Sequence, residues 1–349
     1  MPKTFNLIFI AILFFMLSCK PQEMPIRQMF FYADDQAGEI AVGFGADILT
    51  LFRYDNNLYK PFFHPVNTVD GIAVTRGFPL DPNPGEPVDH PHQTGMWFNF
   101  GDVNGYDFWN NSDSIPAGKR GGYGRIIADS VWFPEDSGRA AFMCSSKWIG
   151  GNADTLLQEV TKYLFEADPN GWTMTRFAEL QALKPVVLTD NKEGLFAIRM
   201  AREFQSDSGK SERLLDAALI PAMEKTVNDQ GKSGYYSGSN GLQGPAVWGT
   251  RNKWVALQGI KDNDTIQTII FDHPLNPGFP ACWHARDYGL FAVNNLGRSS
   301  FSPALEPFSM QLSKNQKIRF IHRITLRSGK PYTSEKINEL HAAFSEFSE

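Results

Sequence analysis

Lys317-Ile-Arg-Phe-Ile-His-Arg-Ile-Thr-Leu-Arg327 sets Ile318, Phe320, His322, Ile324 and Leu326 against Arg319, Arg323 and Arg327. Successive side chains of a strand leave on opposite faces, so strict alternation marks a strand with one face buried and one wet. Similar runs recur at Glu39–Phe52, Tyr123–Phe133, Ala140–Ile149, Leu156–Ala167, Trp172–Leu183, Gly194–Arg202, Lys253–Ile260, Asp264–Phe271 and Pro307–Leu312. Strands in this number, separated by Gly, Pro and Asn-Asp turns, indicate an all-β domain. Asp168-Pro-Asn-Gly171 supplies a tight reversal between two of them, because Asn-Gly accepts the left-handed backbone a hairpin needs. One segment, Thr333 to Phe347, has helical spacing, with Ile337, Leu340, Ala343, Phe344 and Phe347 on one stripe and Thr333 or Ser334 as cap. The expected architecture is a large antiparallel β-sandwich closed by a short C-terminal helix, occupying residues 29–349 as a single domain.

The chain begins differently. Lys3 is followed by an apolar stretch, Leu7 to Leu17, and by Leu17-Ser18-Cys19, which resembles a bacterial lipoprotein signal with Cys19 as the lipidated residue. Residues 20–28 read as a tether. This implies an exported protein anchored by lipid, facing the periplasm or the cell surface, with no other membrane contact. Beyond the tether, Cys144 and Cys282 are too few for a disulfide framework, so a hydrophobic core must hold the fold. With 42% hydrophobic residues in 349, that core is available. A net charge of −5 and the lack of a Lys/Arg run exclude nucleic acid as an expected partner.

Long polar stretches at 62–91, 101–122, 225–250 and 273–286 read as loops, and loops of that length usually line a binding site. The densest chemistry lies in Glu86-Pro-Val-Asp-His-Pro-His-Gln-Thr-Gly-Met-Trp-Phe98. His90 and His92 leave one face of an extended backbone, and Pro91 bars a helix there. Three duties are open to them: hydrogen bonds to loop backbone, acid–base or substrate contacts, and half of a metal site completed by Glu86, Asp89 or His284. Cupin-type oxygenases place a glutamate shortly after such a pair, whereas here Gly95, Met96 and Trp97 stand there. The second cluster runs from Asp272 to Gly289. It places His273 at a strand exit and Trp283, His284 and Arg286 in an ordered loop, with Arg286 suited to a carboxylate or sugar hydroxyl. Trp97, Trp109 and Trp283 are expected to form a platform for a sugar ring. Arg176 and Arg199 sit on apolar faces and need partners, and His322 reads as a core histidine.

Arg76-Gly-Phe-Pro79, Asp89-His-Pro-His-Gln-Thr-Gly-Met-Trp-Phe98, Gly101-Asp-Val-Asn-Gly-Tyr-Asp-Phe-Trp109, Trp248-Gly249, Asp272-His-Pro-Leu-Asn-Pro277 and Trp283-His-Ala-Arg-Asp-Tyr-Gly-Leu-Phe-Ala292 together resemble the PmoA-like family of uncharacterised bacterial proteins. The resemblance adds Arg76, Asp102 and Asn104 to the expected ligand contacts. Ala304-Leu-Glu-Pro307, followed by the strand at 317–327, resembles the ending of galactose-mutarotase-type supersandwiches. That likeness implies Glu306 as general base with His90, His92 or His284 as acid. The expected function is acid–base processing of a glycoside or oxidised sugar, as an epimerase, lyase or hydrolase, on a carbohydrate or oligosaccharide partner. Two other classes are a non-catalytic glycan-binding lipoprotein and the metal-dependent oxygenase that the PmoA label suggests. No cofactor is required, and a divalent metal would fall to His90, His92 and His284.

Overall fold

The period-two runs pair antiparallel with one another in the computed structural model, which describes residues 27–135 and 139–347. The leader, Cys19 and nearly all of the tether lie outside the described residues. An eight-stranded sheet runs in the order Tyr235–Gly238, Trp254–Lys261, Asp264–Asp272, Lys317–Ser328, Gly171–Ala182, Thr155–Asp168, Ala140–Ile149, Arg125–Trp132. Its strands carry the alternation seen in the sequence because their outer face meets solvent over much of its area; in Lys317–Ser328 the even-numbered residues are buried almost throughout. The Asp168/Gly171 pair closes the expected hairpin, with Asn170 N donating to Asp168 Oδ1 at 2.7 Å.

The facing sheet has nine strands, in the order Met29–Asp34, Glu39–Phe44, Asp47–Arg53, Phe62–Val66, Met96–Phe100, Gly194–Arg199, Leu290–Asn294, Ala281–Ala285, Arg251–Asn252. The run expected at 39–52 is two strands, since Gly45 turns the chain with a φ of 68° that other residues rarely adopt. Phe62–Val66 and Ala281–Ala285 form strands inside stretches expected to be loops. The reason is burial: Met96–Phe100, Ala281–Ala285 and Leu290–Asn294 are buried at every position, so no alternation survives to be read; Gly194–Arg199 is as fully buried and was the one of these central strands expected from the sequence. Something therefore covers the outer face of this sheet as well.

One core fills the space between the sheets. Phe98, Phe196, Phe291 and Val293 from the nine-stranded sheet meet Phe142, Trp148, Phe165 and Phe320 from the other. Each such side chain contributes about 1.5–3 kcal/mol on burial. Arg176, buried in this layer, is paired to Glu159 at 2.5 Å and lies over Phe98, while His322 is fully buried with Nε2 2.9 Å from Asn295 Oδ1. The helix Ser334–Ser345 is capped by Thr333, whose hydroxyl accepts from Lys336 N. Ile337 and Phe344 seat it against Trp254 and Phe271 on the outer face of the eight-stranded sheet. Ala343, expected on the buried stripe, is exposed, and His341 takes the buried place by donating to the Asp272 carbonyl at 3.0 Å. Among the described residues no helix is long and apolar enough to cross a membrane.

Candidate functional site

Cross-strand pairing aligns Phe62, Trp97, Ala197, Ala292 and His284 in one rank across the nine-stranded sheet. Side chains alternate along each strand, so this rank occupies the outer face while the neighbours of His284, Trp283 among them, point into the core. Two alanines between Trp97 and His284 leave a shallow trough. Trp109 and Tyr288 pack over it with Phe62, Trp97 and Leu290. Loops from both ends of the sheet then meet above them.

The loop at 87–93 is held by two buried guanidiniums. Arg76 donates to the carbonyls of Pro87, Asp89, His90 and Gln93 and to Asp89 Oδ1 at 2.5 Å. Arg199 reaches the same loop from its own strand, donating to Asp89 Oδ1 at 2.7 Å and to Gln93 Oε1 at 2.6 Å. Asp89 Oδ2 lies 2.5 Å from His90 Nδ1. Burial alone would raise the Asp89 carboxyl; Arg199, the hydrogen bond from His90 and Arg76 outweigh it and hold Asp89 well below the usual carboxylate range. With Asp89 ionised, His90 Nδ1 is the donor, and in the neutral ring the lone pair therefore sits on Nε2. The His90 backbone is in the left-handed region, φ 43°, a strain that the Arg76 contacts hold in place. Its ring stacks on Tyr288 at 4.9 Å between centroids and 6° between planes, and its side chain is 41% exposed.

Tyr288 joins the two clusters. Arg199 and Arg286 both lie against its ring, and Arg286 also lies 5.5 Å from the Trp248 ring. Trp248 packs edge-on to His284, whose Nδ1 stands 3.8 Å from Glu193 Oε2. Burial pushes Glu193 upward. His284 itself is lowered to about 3 by burial and by Arg286, and His92 to about 2 by burial and by Lys60. Both rings are neutral near pH 7. Lys60, buried, donates to the His92 carbonyl at 2.7 Å and lies 5.4 Å from the Trp97 ring. His92 Nε2, Trp109 Nε1, Trp248 Nε1, His284 Nδ1 and Arg286 Nε are all buried with no partner among the described residues. Buried polar atoms are almost always satisfied, so these unmatched groups make this face a candidate site for a polar ligand.

The structure thus gathers His90, His92, His284, Arg286, Trp97 and Trp109 at one face and leaves other expected residues elsewhere. Arg76 is there as a loop anchor, fully buried, with its recorded bonds all spent on residues 87–93. Trp97 and Trp109 are buried and form the floor, so they present no open ring face. Trp283 lies in the core between the sheets and donates to the Asn252 carbonyl. His273 packs on Phe344 beside the C-terminal helix. Asp102 accepts from Gly105 N and Asn104 bridges Pro185 and Val187, both as turn anchors. Glu306 is exposed and has no hydrogen bond or ion pair among the described residues; the carboxylates beside the histidines are Asp89, against His90, and Glu193, near His284. Among the described residues no group of three or more His, Cys, Asp or Glu side chains is arranged to hold a metal ion, so His90, His92 and His284 do not form a ligand set. Glu193 hides in a turn-like Asn191-Lys-Glu-Gly194, and Tyr288 and Trp248 sit in runs whose other residues drew attention. Lys60 carried a signal of its own, a lysine inside Leu58-Tyr-Lys-Pro-Phe-Phe63.

The chain is an antiparallel β-sandwich with a polar, histidine-bearing site on one outer face. It belongs to the DUF6807 family, a family of unknown function whose model matches residues 39–342. The family name carries no methane-oxidation label. No curated protein matches. Solved structures similar to it include galactose mutarotase-like and galactosidase proteins. An α-galactosidase from Geobacillus stearothermophilus in complex with raffinose is 10% identical with a TM-score of 0.29, covering 87% of this chain and 41% of its own. The chain therefore spans about two fifths of that enzyme. A protein assigned as an aldose 1-epimerase from Escherichia coli K12 is 9% identical, TM-score 0.34, covering 87% of this chain and all of its own (100%). A galactose mutarotase-like protein from Clostridium acetobutylicum is 8% identical, TM-score 0.32, covering 86% and 98%. Likenesses of this depth say nothing about chemistry, which rests on the residues above.

Proposed function

We propose that this protein processes a carbohydrate by acid–base chemistry on the outer face of the nine-stranded sheet. The observation that carries the reading is the Asp89–His90 pair: a carboxylate pinned by two guanidiniums fixes the imidazole's donor nitrogen and leaves the other free at a partly exposed position. His90 Nε2 takes a proton from a sugar hydroxyl or carbon acid and, once protonated, returns it. Glu193, raised by burial, is the second proton-transfer group, a carboxyl brought closer to the pH at which it can exchange a proton. Trp248 Nε1 and Arg286 Nε, unpaired among the described residues, supply donors for sugar hydroxyls or a carboxylate, and the partly exposed Trp248 and Tyr288 rings supply apolar faces. A glycan-binding role without catalysis could use the same Trp248 and Tyr288 faces but leaves the Asp89–His90 pair without a duty, so it draws less support.

The test is proton nuclear magnetic resonance in D2O on a panel of aldoses, uronates and aryl glycosides. Anomer exchange, loss of a carbon-bound proton signal or glycoside cleavage reports the three reaction types. Turnover of at least one panel member is expected in wild type, falling by about 10²–10⁴ in His90→Ala and in Asp89→Asn. Turnover that survives His90→Ala and Glu193→Gln intact would overturn the reading.

A further inference from the structure

Lys60 precedes the strand Phe62–Val66 and is buried at the edge of the trough. Its three N–H bonds have one recorded acceptor, the His92 carbonyl at 2.7 Å, and among the described residues no carboxylate pairs with it. Beside it opens a cavity of about 180 Å3 bounded by Leu58, Phe62, His92, Thr94, Asn111 and Ser112. His92, on that wall, has its Nε2 buried and without a partner. An ammonium so poorly solvated gives way to the neutral amine. Burial brings Lys60 down to about 7 against the opposing pull of Asp107.

We propose that Lys60 is a carbonyl-reactive amine and that this cavity takes the open-chain aldehyde or ketone of a small hydroxycarbonyl compound. The Nζ lone pair adds to the carbonyl carbon, the carbonyl π pair moves to oxygen, and that oxygen takes a proton while nitrogen loses one. Departure of the hydroxyl with a second proton as water leaves a C=N bond, so amine plus carbonyl gives imine plus water with no oxidant or reductant. His92 Nε2 is the unpaired polar group available to the ligand's oxygen. The step needs Lys60 and its cavity and is independent of His90, so it goes beyond the acid–base reading.

The full chain is incubated at pH 7 with D-glyceraldehyde and cyanoborohydride, whose hydride converts an imine into a stable secondary amine, and each lysine is followed by peptide mass spectrometry. Lys60 is expected to be modified about tenfold faster than the average exposed lysine. Lys60→Arg removes that fast adduct, and His90→Ala keeps it. Wild type unfolded in urea gives a comparison that needs no variant: there Lys60 loses its advantage. Modification of Lys60 at or below the rate of exposed lysines in the folded protein overturns the proposal.

Discussion

Arg76 and Lys60 are both buried cations, and their surroundings assign them opposite characters. Arg76 has five acceptors, and replacing it by lysine removes the fork that holds residues 87–93 together. Arg76→Lys is expected to cost about 1–3 kcal/mol, read from urea unfolding, because lysine keeps a charge near Asp89 but leaves buried carbonyls of residues 87–93 without their donor. Lys60 has one acceptor and a lowered pKa. Between pH 7 and its unfolded value the unfolded chain holds a proton that the folded chain has lost, so this group's penalty is full below pH 7 and is relieved as pH rises. The groups facing it are Asp107 and His92, and His92 is uncharged there. Lys60→Met should therefore stabilise the protein by about 2–4 kcal/mol at pH 6, after the lost hydrogen bond, with a smaller gain at pH 9. A gain that does not change with pH would contradict the assignment. At this scale the sequence was partly legible: His90, His92, His284 and Arg286 announce themselves by type, whereas Glu193 becomes a site residue only through the strand pairing that brings it to His284.

The same division holds for elements. Seven strands of the eight-stranded sheet were legible because one face is wet and the period survives; Tyr235–Gly238 lay in a stretch expected as a loop. The central strands of the nine-stranded sheet, Gly194–Arg199 excepted, were not, because loops bury their second face and erase it. That second burial is also what builds the site. Ala197 and Ala292 keep the trough shallow between Trp97 and His284, and a larger side chain there would push Trp109 or Tyr288 outward. Ala292→Leu is expected to cost about 1–3 kcal/mol in urea unfolding and to abolish binding of any sugar that wild type binds by calorimetry. Retained binding with an unchanged midpoint would show that the ligand sits elsewhere. The C-terminal helix gives a control remote from the site: Phe344→Ala should cost about 3–5 kcal/mol and leave sugar affinity unaltered.

For the whole molecule, two sheets share one core, and the chemistry lies outside it, on a face roofed by loops from residues distant in sequence. Composition and alternation reported the sandwich; they could not report which tryptophans face inward, since Trp97 and Trp283 differ only in strand parity. For the segment ending at Cys19, outside the described residues, we propose lipidation at that cysteine. Cys19→Ala is expected to move the protein from the detergent phase to the aqueous phase in a cloud-point partition, and equal partitioning of the two would remove the anchor.

The account turns on the proton arrangement of three imidazoles, which long-range 1H–15N correlation spectra of the histidine rings read directly. At pH 8 His90 should carry its proton on Nδ1, hydrogen-bonded to Asp89, with Nε2 bare, and His92 and His284 should stay neutral as pH falls to 5. A His90 protonated on Nε2 at pH 8, or charging of His92 and His284 above pH 5, would contradict it.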